Sequence, residues 1–140
     1  MDFRYTEQEE AFRKEVRDFI REVLPSDWHG VDPGPEEEAR EEVYQLSKKV
    51  WRGLAAKGWI GLSWAKEYGG QEDLAKDWIL KEELIYHGVP GMDIAVVQGD
   101  LILAFGTEEQ KKRFIPPILR GEIKYAIGMS EPNVGSDLFA

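Results

Sequence analysis

Apolar side chains recur at three- and four-residue steps through most of the chain, which is the spacing of one helix face. The first stripe follows Thr6 and Glu9, a pair spaced like a capping box, and ends before Pro25. Its members are Phe12, Val16, Phe19, Ile20 and Val23. A second stripe follows Pro35 and three glutamates and stops at Lys57-Gly58. Its members are Ala39, Val43, Leu46, Val50 and Leu54. Both segments are predicted to be amphipathic helices.

The segments next to the second helix break this period. Residues 25–35 contain three prolines and two glycines and are predicted to be a loop, in which Trp28 and His29 are interpreted as having no site role. After the second helix, four large apolar residues are interrupted by small ones and predict a buried connector. They are Trp59, Ile60, Leu62 and Trp64. Tyr68-Gly69-Gly70 then predicts a sharp turn, because glycine tolerates backbone angles that other residues resist.

Three further helices are predicted from the middle of the chain. Asp73 is a candidate N-cap for a helix that ends near His87, which is interpreted as a surface or dipole-facing residue. That helix carries Leu74, Trp78, Ile79, Leu84 and Ile85. Thr107 and Gln110 repeat the capping-box spacing, and Pro116-Pro117 is predicted to end the short helix that they begin.

The segment from Met92 to Phe105 has little polar face and is predicted to be the most buried helix of the domain. Replacing Leu101 or Leu103 by alanine should then cost about 2 to 5 kcal/mol. Gly99 weakens a helix by roughly 1 kcal/mol relative to alanine, so it indicates a close approach by a packed element or by a ligand.

The last part of the chain has the period of a strand. Tyr125, Ile127 and Met129 alternate with small residues, and Pro132 ends the ladder before a turn-forming segment, 133–137. Five helices followed by one strand predict an all-α domain with the start of a second domain, since an isolated strand is not stable. A strand that ends in a hydroxyl, followed by a Gly-Ser-Asp turn, can present donors to a polar heterocycle and to anionic oxygens. By spacing alone, an ordinary surface turn is the more common outcome for such a segment and is the preferred interpretation.

The composition and charge of the chain disfavour several classes of function. The chain has 140 residues, 42% of them apolar, which suffices for one domain with its own core. Its net charge of -9 disfavours binding to nucleic acid or to anionic membranes. The absence of cysteine excludes disulfides, thiolate zinc sites and thiol nucleophiles in these residues. The N-terminus shows no signal or transit pattern, and no apolar run is long enough to span a membrane, so a cytoplasmic location is expected.

Three blocks resemble the acyl-CoA dehydrogenase family. Met129 to Asp137 resembles its flavin-binding signature without a gap, Phe105 to Gly121 resembles the helix before that strand, and Glu67 to Gly70 resembles an earlier loop. In that family a helical domain precedes a small β domain and a four-helix bundle. The resemblance therefore implies a five-helix N-terminal domain over residues 1–121 and the start of the middle β domain over residues 122–140.

The resemblance also implies site residues. FAD would be contacted by Ile127, Met129, Ser130 and Gly135, and the CoA thioester substrate by Ser136. The implied reaction moves the α-proton of an acyl-CoA to a base and the β-hydride to flavin N5, giving a 2,3-enoyl-CoA. The family's base lies in the C-terminal bundle, so no catalytic residue and no metal ligand is expected in this segment. Implied partners are an acyl-CoA, an electron-transfer flavoprotein as acceptor, and further subunits in a homo-oligomer (dimer or tetramer) or a hetero-oligomer of related chains.

Two departures leave the subfamily open. Ala65 stands where many relatives have proline, and Asn133-Val134 replaces a commoner Gly-Ala pair. Flavin oxidases and monooxygenases of the same fold share the signature and remain an alternative. A non-catalytic helical interaction domain is the other alternative, and bound flavin in the full-length protein would discriminate between the enzymes and this domain.

Overall fold

Five α-helices form the part of the chain that the computed structural model describes, which is residues 4–29, 40–91, 95–123 and 135. They are α1 Glu7–Val23, α2 Glu41–Ala56, α3 Leu74–Tyr86, α4 Ala95–Phe105 and α5 Glu108–Leu119. A short 3-10 turn, Lys66–Tyr68, lies between α2 and α3. These residues contain no strand, and the prediction of an all-α domain with five helices is confirmed.

Three of the predicted helix starts, at Thr6, Asp73 and Thr107, are present. The Thr6 hydroxyl accepts from the Glu9 amide at 3.2 Å, while the Glu9 carboxylate accepts from the Thr6 amide at 2.6 Å. Thr107 and Gln110 form the same reciprocal pair, with distances of 3.2 and 2.8 Å. Asp73 accepts from an amide in the first turn of α3 at 2.9 Å. Each cap satisfies helical N–H groups that have no partner within the helix, and so fixes where the helix begins.

The core is built from α1, α2, α3, α5 and the connector between α2 and α3. Trp59 of the connector packs edge-on against Phe12 and Phe19 of α1, with ring centroids 5.3 and 5.6 Å apart. The predicted burial of the connector is confirmed for Trp59, Ile60, Leu62 and Trp64. Edge-to-face aromatic pairs add roughly 0.5 to 1.5 kcal/mol beyond the burial of their area.

The prediction that α4 is the most buried helix is wrong. Leu101 is 48% exposed and Phe105 is 84% exposed, while Ile102 and Leu103 are only partly buried against the core. In the structure α4 begins at Ala95. Met92, where the predicted helix begins, lies outside the described residues. A helix with little polar face is expected to be covered on most of its sides. The described residues cover only one side of α4.

Leu101→Ala is therefore expected to lower the free energy of unfolding by less than about 1 kcal/mol, because little apolar area leaves the core. A fully buried leucine such as Leu54, which is 1% exposed, should lose about 2 to 5 kcal/mol in the same change. Urea denaturation of residues 1–140 measures both values. Equal losses at the two positions would contradict the exposed placement of Leu101.

The helix α5 continues through its two prolines to Leu119, so the prediction that it ends at Pro116-Pro117 is wrong. Proline lacks a donor but keeps its carbonyl. The Pro116 carbonyl accepts from the Arg120 amide at 3.1 Å, and the Pro117 carbonyl accepts from the Glu122 amide at 2.9 Å. The two prolines therefore remove two backbone N–H donors near the end of α5, but their own carbonyls still accept hydrogen bonds.

Two predicted segments lie outside the described residues. These are the proline-led first turn at 35–38 and the strand over 125–129 with the turn after it, of which only Gly135 is described. Within the described part, α2 begins at Glu41 with Arg40 at its N-cap. No helix in the described ranges is long and apolar enough to cross a membrane.

Candidate functional site

The described residues contain one of the five predicted site residues. Gly135 lies at an exposed bend. Ile127, Met129, Ser130 and Ser136 lie outside the described residues, so their contacts to a flavin and a thioester stay predictions. The described elements that lead to this segment are the loop Glu67 to Gly70, the helix α5 and the turn after it.

Two of the motif blocks meet in space, the loop Glu67 to Gly70 and the helix α5. Gly69 has a φ of 93° and packs so closely on Leu119 that a Cβ at this position would lie 2.8 Å from Cδ1 of Leu119. A residue with a side chain would need both a left-handed backbone and a shift of the leucine. The glycine loop and the end of α5 are therefore held in direct contact.

Polar contacts join the same loop to the start of α5. The Tyr68 hydroxyl donates to the Glu108 carboxylate at 3.3 Å, and the Lys111 ammonium lies 5.5 Å from the centre of the Tyr68 ring. Lys111 also donates to Glu108 at 3.0 Å, and this hydrogen bond lowers the pKa of that carboxyl. The loop thus contacts α5 at its first turn as well as at its last.

Trp64 of the connector holds α4. Its indole Nε1 donates to Asp100 at 2.6 Å, and the ring lies against Gly99. A Cβ on Gly99 would lie 2.2 Å from Cη2 and Cζ2 of Trp64. The same ring also packs on Gly61. The close approach predicted at Gly99 is therefore made by a packed element, the buried ring of Trp64.

Gly99→Ala is expected to destabilise the protein by about 1 to 2 kcal/mol, although alanine favours helix by roughly 1 kcal/mol, because the new methyl group overlaps the Trp64 ring. Thermal unfolding measures the change. The control is Gly99→Ala in a Trp64→Phe background, where the benzo edge of the indole is gone and the penalty should largely disappear. A penalty of equal size in both backgrounds would exclude the ring as its cause.

The turn after α5 fixes where the chain leaves the helices. Gly121 has a φ of 68°, and a Cβ on it would lie 3.0 Å from Ala55 and 3.3 Å from the Trp51 carbonyl, both in α2. Arg120 and Glu122 pair side by side at 2.7 and 2.8 Å. The direction of the chain toward the predicted strand is therefore set by close packing on α2.

An open groove of about 430 Å³ lies beside this turn. Its lining includes Lys48, Arg52 and the Arg120–Glu122 pair. Trp51 also lines the groove, and its buried indole Nε1 has no hydrogen-bond partner among the residues that the structure describes. No group of three or more potential metal ligands occurs in the described ranges.

A buried ionic cluster between α1 and α3 was missed by the sequence analysis. Both carboxylate oxygens of Glu83 accept from Arg17 at 2.8 Å, and Arg13 Nε lies 2.8 Å from Oε1 of Glu83. His87, at the C-cap of α3, places Nδ1 2.8 Å from the Glu83 carbonyl, which agrees with its interpretation as a dipole-facing residue. Arg13 and Arg17, four residues apart on α1, could have indicated a shared anionic partner. The sequence near them does not show which carboxylate this is, because Glu83 lies 66 residues after Arg17.

The environment of Glu83 makes it a poor proton acceptor. Burial raises the pKa of this carboxyl, but hydrogen bonding to Arg17 and the charges of Arg17, Arg13 and His87 outweigh burial and leave the pKa below its ordinary value. The carboxylate is ionised and its oxygens are occupied by arginine donors. Its role is to join α1 to α3.

Comparison with known proteins identifies the helical part of the chain. The sequence profile described as "Acyl-CoA dehydrogenase, N-terminal domain" matches residues 6–122. The acyl-CoA dehydrogenase FadE26 of Mycobacterium tuberculosis is 33% identical over 141 residues, covering 99% of this chain and 34% of that protein. A 3-(aryl)acrylate reductase of Clostridium sporogenes is 31% identical over 138 residues, covering 95% of this chain and 34% of that protein. The chain spans about a third of the length of these relatives.

Solved structures give the same fold. The ChsE4–ChsE5 complex from Mycobacterium tuberculosis superposes with a TM-score of 0.76 at 31% identity, over 98% of this chain and 34% of that one. A structure described as the Tcur3481–Tcur3483 steroid ACAD superposes with a TM-score of 0.73 at 34% identity. The match covers 98% of this chain and 35% of that one.

Proposed function

The chain belongs to the acyl-CoA dehydrogenase family, and on this premise we propose that it is the N-terminal part of an FAD-dependent acyl-CoA dehydrogenase. The proposed activity oxidises an acyl-CoA thioester to the 2,3-enoyl-CoA. The observation that carries the proposal is the match of the family's N-terminal domain to residues 6–122, followed by the signature-like segment 129–137. We propose residues 1–121 as the helical domain and 122–140 as the start of the β domain.

The residues of this chain would hold one edge of the cofactor. FAD, when bound, supplies the hydride acceptor, N5 of its ring. The backbone of Ile127 and Met129, the hydroxyl of Ser130 and the backbone of Gly135 offer hydrogen-bonding groups suited to the polar edge of the ring, and Ser136 would orient the thioester. These donors would stabilise negative charge that develops on the ring during hydride transfer. The base that takes the α-proton would come from sequence beyond these 140 residues.

The assembly and the substrate class are part of the proposal. Two solved relatives are described by the names of two different proteins, which supports a hetero-oligomer of related subunits, with a homodimer or homotetramer as the simpler form. One of these is described as a steroid ACAD, so a steroid-derived acyl-CoA is the first substrate class to test. An electron-transfer flavoprotein is the proposed electron acceptor.

The test is the visible spectrum of the full-length protein, followed by anaerobic addition of acyl-CoA thioesters. The proposal expects a flavin band that bleaches on addition of the substrate. A full-length, folded protein without any flavin would instead support the non-catalytic helical domain. In air, stoichiometric release of hydrogen peroxide from the reduced flavin would support the oxidase alternative, and transfer of one oxygen atom from O2 to the product would support the monooxygenase alternative.

A reductase is the second candidate, because one relative at 31% identity is a 3-(aryl)acrylate reductase. This activity would run in the opposite direction and saturate a 2,3-double bond. Chemically reduced full-length protein should then be reoxidised by an arylacrylate in the absence of oxygen. Reoxidation by an enoyl-CoA alone would favour the dehydrogenase.

Residues 1–140 alone are expected not to bind FAD tightly. The signature would contact only one edge of the ring, and the remaining contacts would come from other segments. Titration of FAD into this segment, followed by flavin fluorescence, tests the expectation. A saturable site with one FAD per chain would contradict it.

A further inference from the structure

The groove beside the turn after α5 is positively charged, although the chain as a whole is acidic. Lys48, Arg52 and Arg120 line this groove together with one carboxylate, that of Glu122. The whole chain carries a net charge of -9. Positive charge that is collected in a concave surface raises the local concentration of anions. The groove therefore attracts anions that the rest of the chain repels.

Two of the three cations have no carboxylate partner. Arg120 is paired, since it donates twice to Glu122 at 2.7 and 2.8 Å. The Arg52 guanidinium is exposed and has no ion pair or hydrogen bond among the residues that the structure describes. Lys48 lies 5.1 Å from the centre of the Tyr44 ring and has no ion pair within the same described ranges. Lys48 and Arg52 are four residues apart on α2, so they are neighbours on one surface of the helix.

The lining of the groove also contains a buried donor. Trp51 is 2% exposed, and no described residue accepts a hydrogen bond from its indole Nε1. The edge of the ring that carries this N–H faces Gly121 of the groove, where a Cβ would lie 3.4 Å from Cδ1 of Trp51. A buried N–H without an acceptor is unfavourable, because nothing compensates for its lost hydration. Its dipole adds to the positive potential of the two unpaired cations.

From these observations we propose that the groove is a binding site for an oxyanion, a carboxylate or phosphate group held by Lys48 and Arg52 beside the Trp51 indole. Lysine and arginine form charge-assisted hydrogen bonds with both groups. The volume of about 430 Å³ lies in the range of small-molecule sites, and Tyr44, 50% exposed, gives the groove an aromatic wall. The site lies outside the signature-like segment 129–137 and does not depend on the proposed function.

Two sources can supply the oxyanion, a free small molecule or a carboxylate from sequence beyond these 140 residues. The first test is the 31P NMR line width of inorganic phosphate with the full-length protein, in chloride buffer at constant ionic strength. Arg52→Gln is the site variant, and Lys14→Gln, which removes a charge from an exposed position of α1, is the control. If the oxyanion is free, the parent and Lys14→Gln should broaden the phosphate signal, and Arg52→Gln should reduce the broadening about fivefold or more.

The second test is the thermal unfolding of the same variants. If a carboxylate of the protein itself fills the groove, the parent should leave the phosphate signal sharp, and Arg52→Gln should unfold about 2 to 4 °C below Lys14→Gln. Circular dichroism checks that both variants are folded. Equal broadening by the parent and Arg52→Gln would overturn the proposal, as would a sharp signal together with equal unfolding temperatures for the two variants. Neither measurement reads flavin, so a full-length protein without flavin would refute the proposed enzyme and not this site.

Discussion

Glu83→Ala is expected to lower the free energy of unfolding by about 3 to 5 kcal/mol, because it leaves two arginines facing each other without their shared carboxylate. The Glu83 side chain is 3% exposed and accepts two hydrogen bonds from Arg17, while Arg13 is largely covered. Arg13, with 17% of its side chain exposed, cannot recover full hydration without disturbing the contact between α1 and α3, whereas Arg17, 49% exposed, keeps access to water. Urea denaturation of residues 1–140 measures the loss.

Glu82 provides the matched control on the same helix. It also pairs with Arg13 and accepts from the Tyr5 hydroxyl at 3.2 Å, but its side chain is 46% exposed. Because water can replace these contacts, Glu82→Ala should cost less than about 1 kcal/mol. Similar losses for the two variants would show that burial of the carboxylate is not what makes the cluster stabilising.

The cluster also predicts how stability changes in acid. The folded state lowers the pKa of Glu83, so the chain takes up a proton on unfolding once the pH falls below the ordinary glutamate value, about 4.3. The contribution of Glu83 is complete above that value and is lost as the pH falls through the lower, folded pKa. Glu83→Gln should be less stable than the parent at neutral pH, and the difference should shrink in that acidic range. A constant difference across the range would contradict this assignment.

Ser130→Ala in the proposed full-length enzyme is expected to slow flavin reduction by about ten- to a hundredfold and to weaken FAD retention. A hydrogen bond to a group that gains charge is worth roughly 1.5 to 3 kcal/mol, and the Ser130 hydroxyl is the proposed donor. Flavin occupancy and single-turnover reduction are the two measurements.

Ser130→Thr is the control, since it keeps the hydroxyl and should behave nearly as the parent. If Ser130 only closes the turn after the strand, the alanine variant would lose thermal stability while the folded fraction keeps its flavin and its rate of reduction. That outcome would remove Ser130 from the proposed site.

The features that could be predicted from the sequence depend on residues that are close together along the chain. Thr6 and Thr107 each cap a helix because the partner of their hydroxyl lies three residues away. The connector from Trp59 to Trp64 is buried as its composition indicates. Chain order and short-range hydrogen bonds suffice for these elements.

The features that could not be predicted depend on distant partners. Glu83 pairs with Arg17 across 66 positions, and Gly99 accommodates a ring from Trp64. The apolar pattern of α4 could not show that Phe105 is 84% exposed beside the described residues. The site segment after residue 123 lies outside the described residues, with the exception of Gly135, so its assignment still rests on the resemblance.

The pairing of α1 with α3 also bears on how the chain emerges from the ribosome. Arg17 is made 66 residues before Glu83, which at about 5 to 20 residues per second is a delay of roughly 3 to 13 s. During that interval the apolar stripe of α1, with Phe12, Val16 and Phe19, has no α3 to contact. Trp59 of the connector, which is made earlier, can already pack on Phe12 and Phe19, but the side of α1 that faces α3 stays open, and slower translation before α3 would lengthen its exposure.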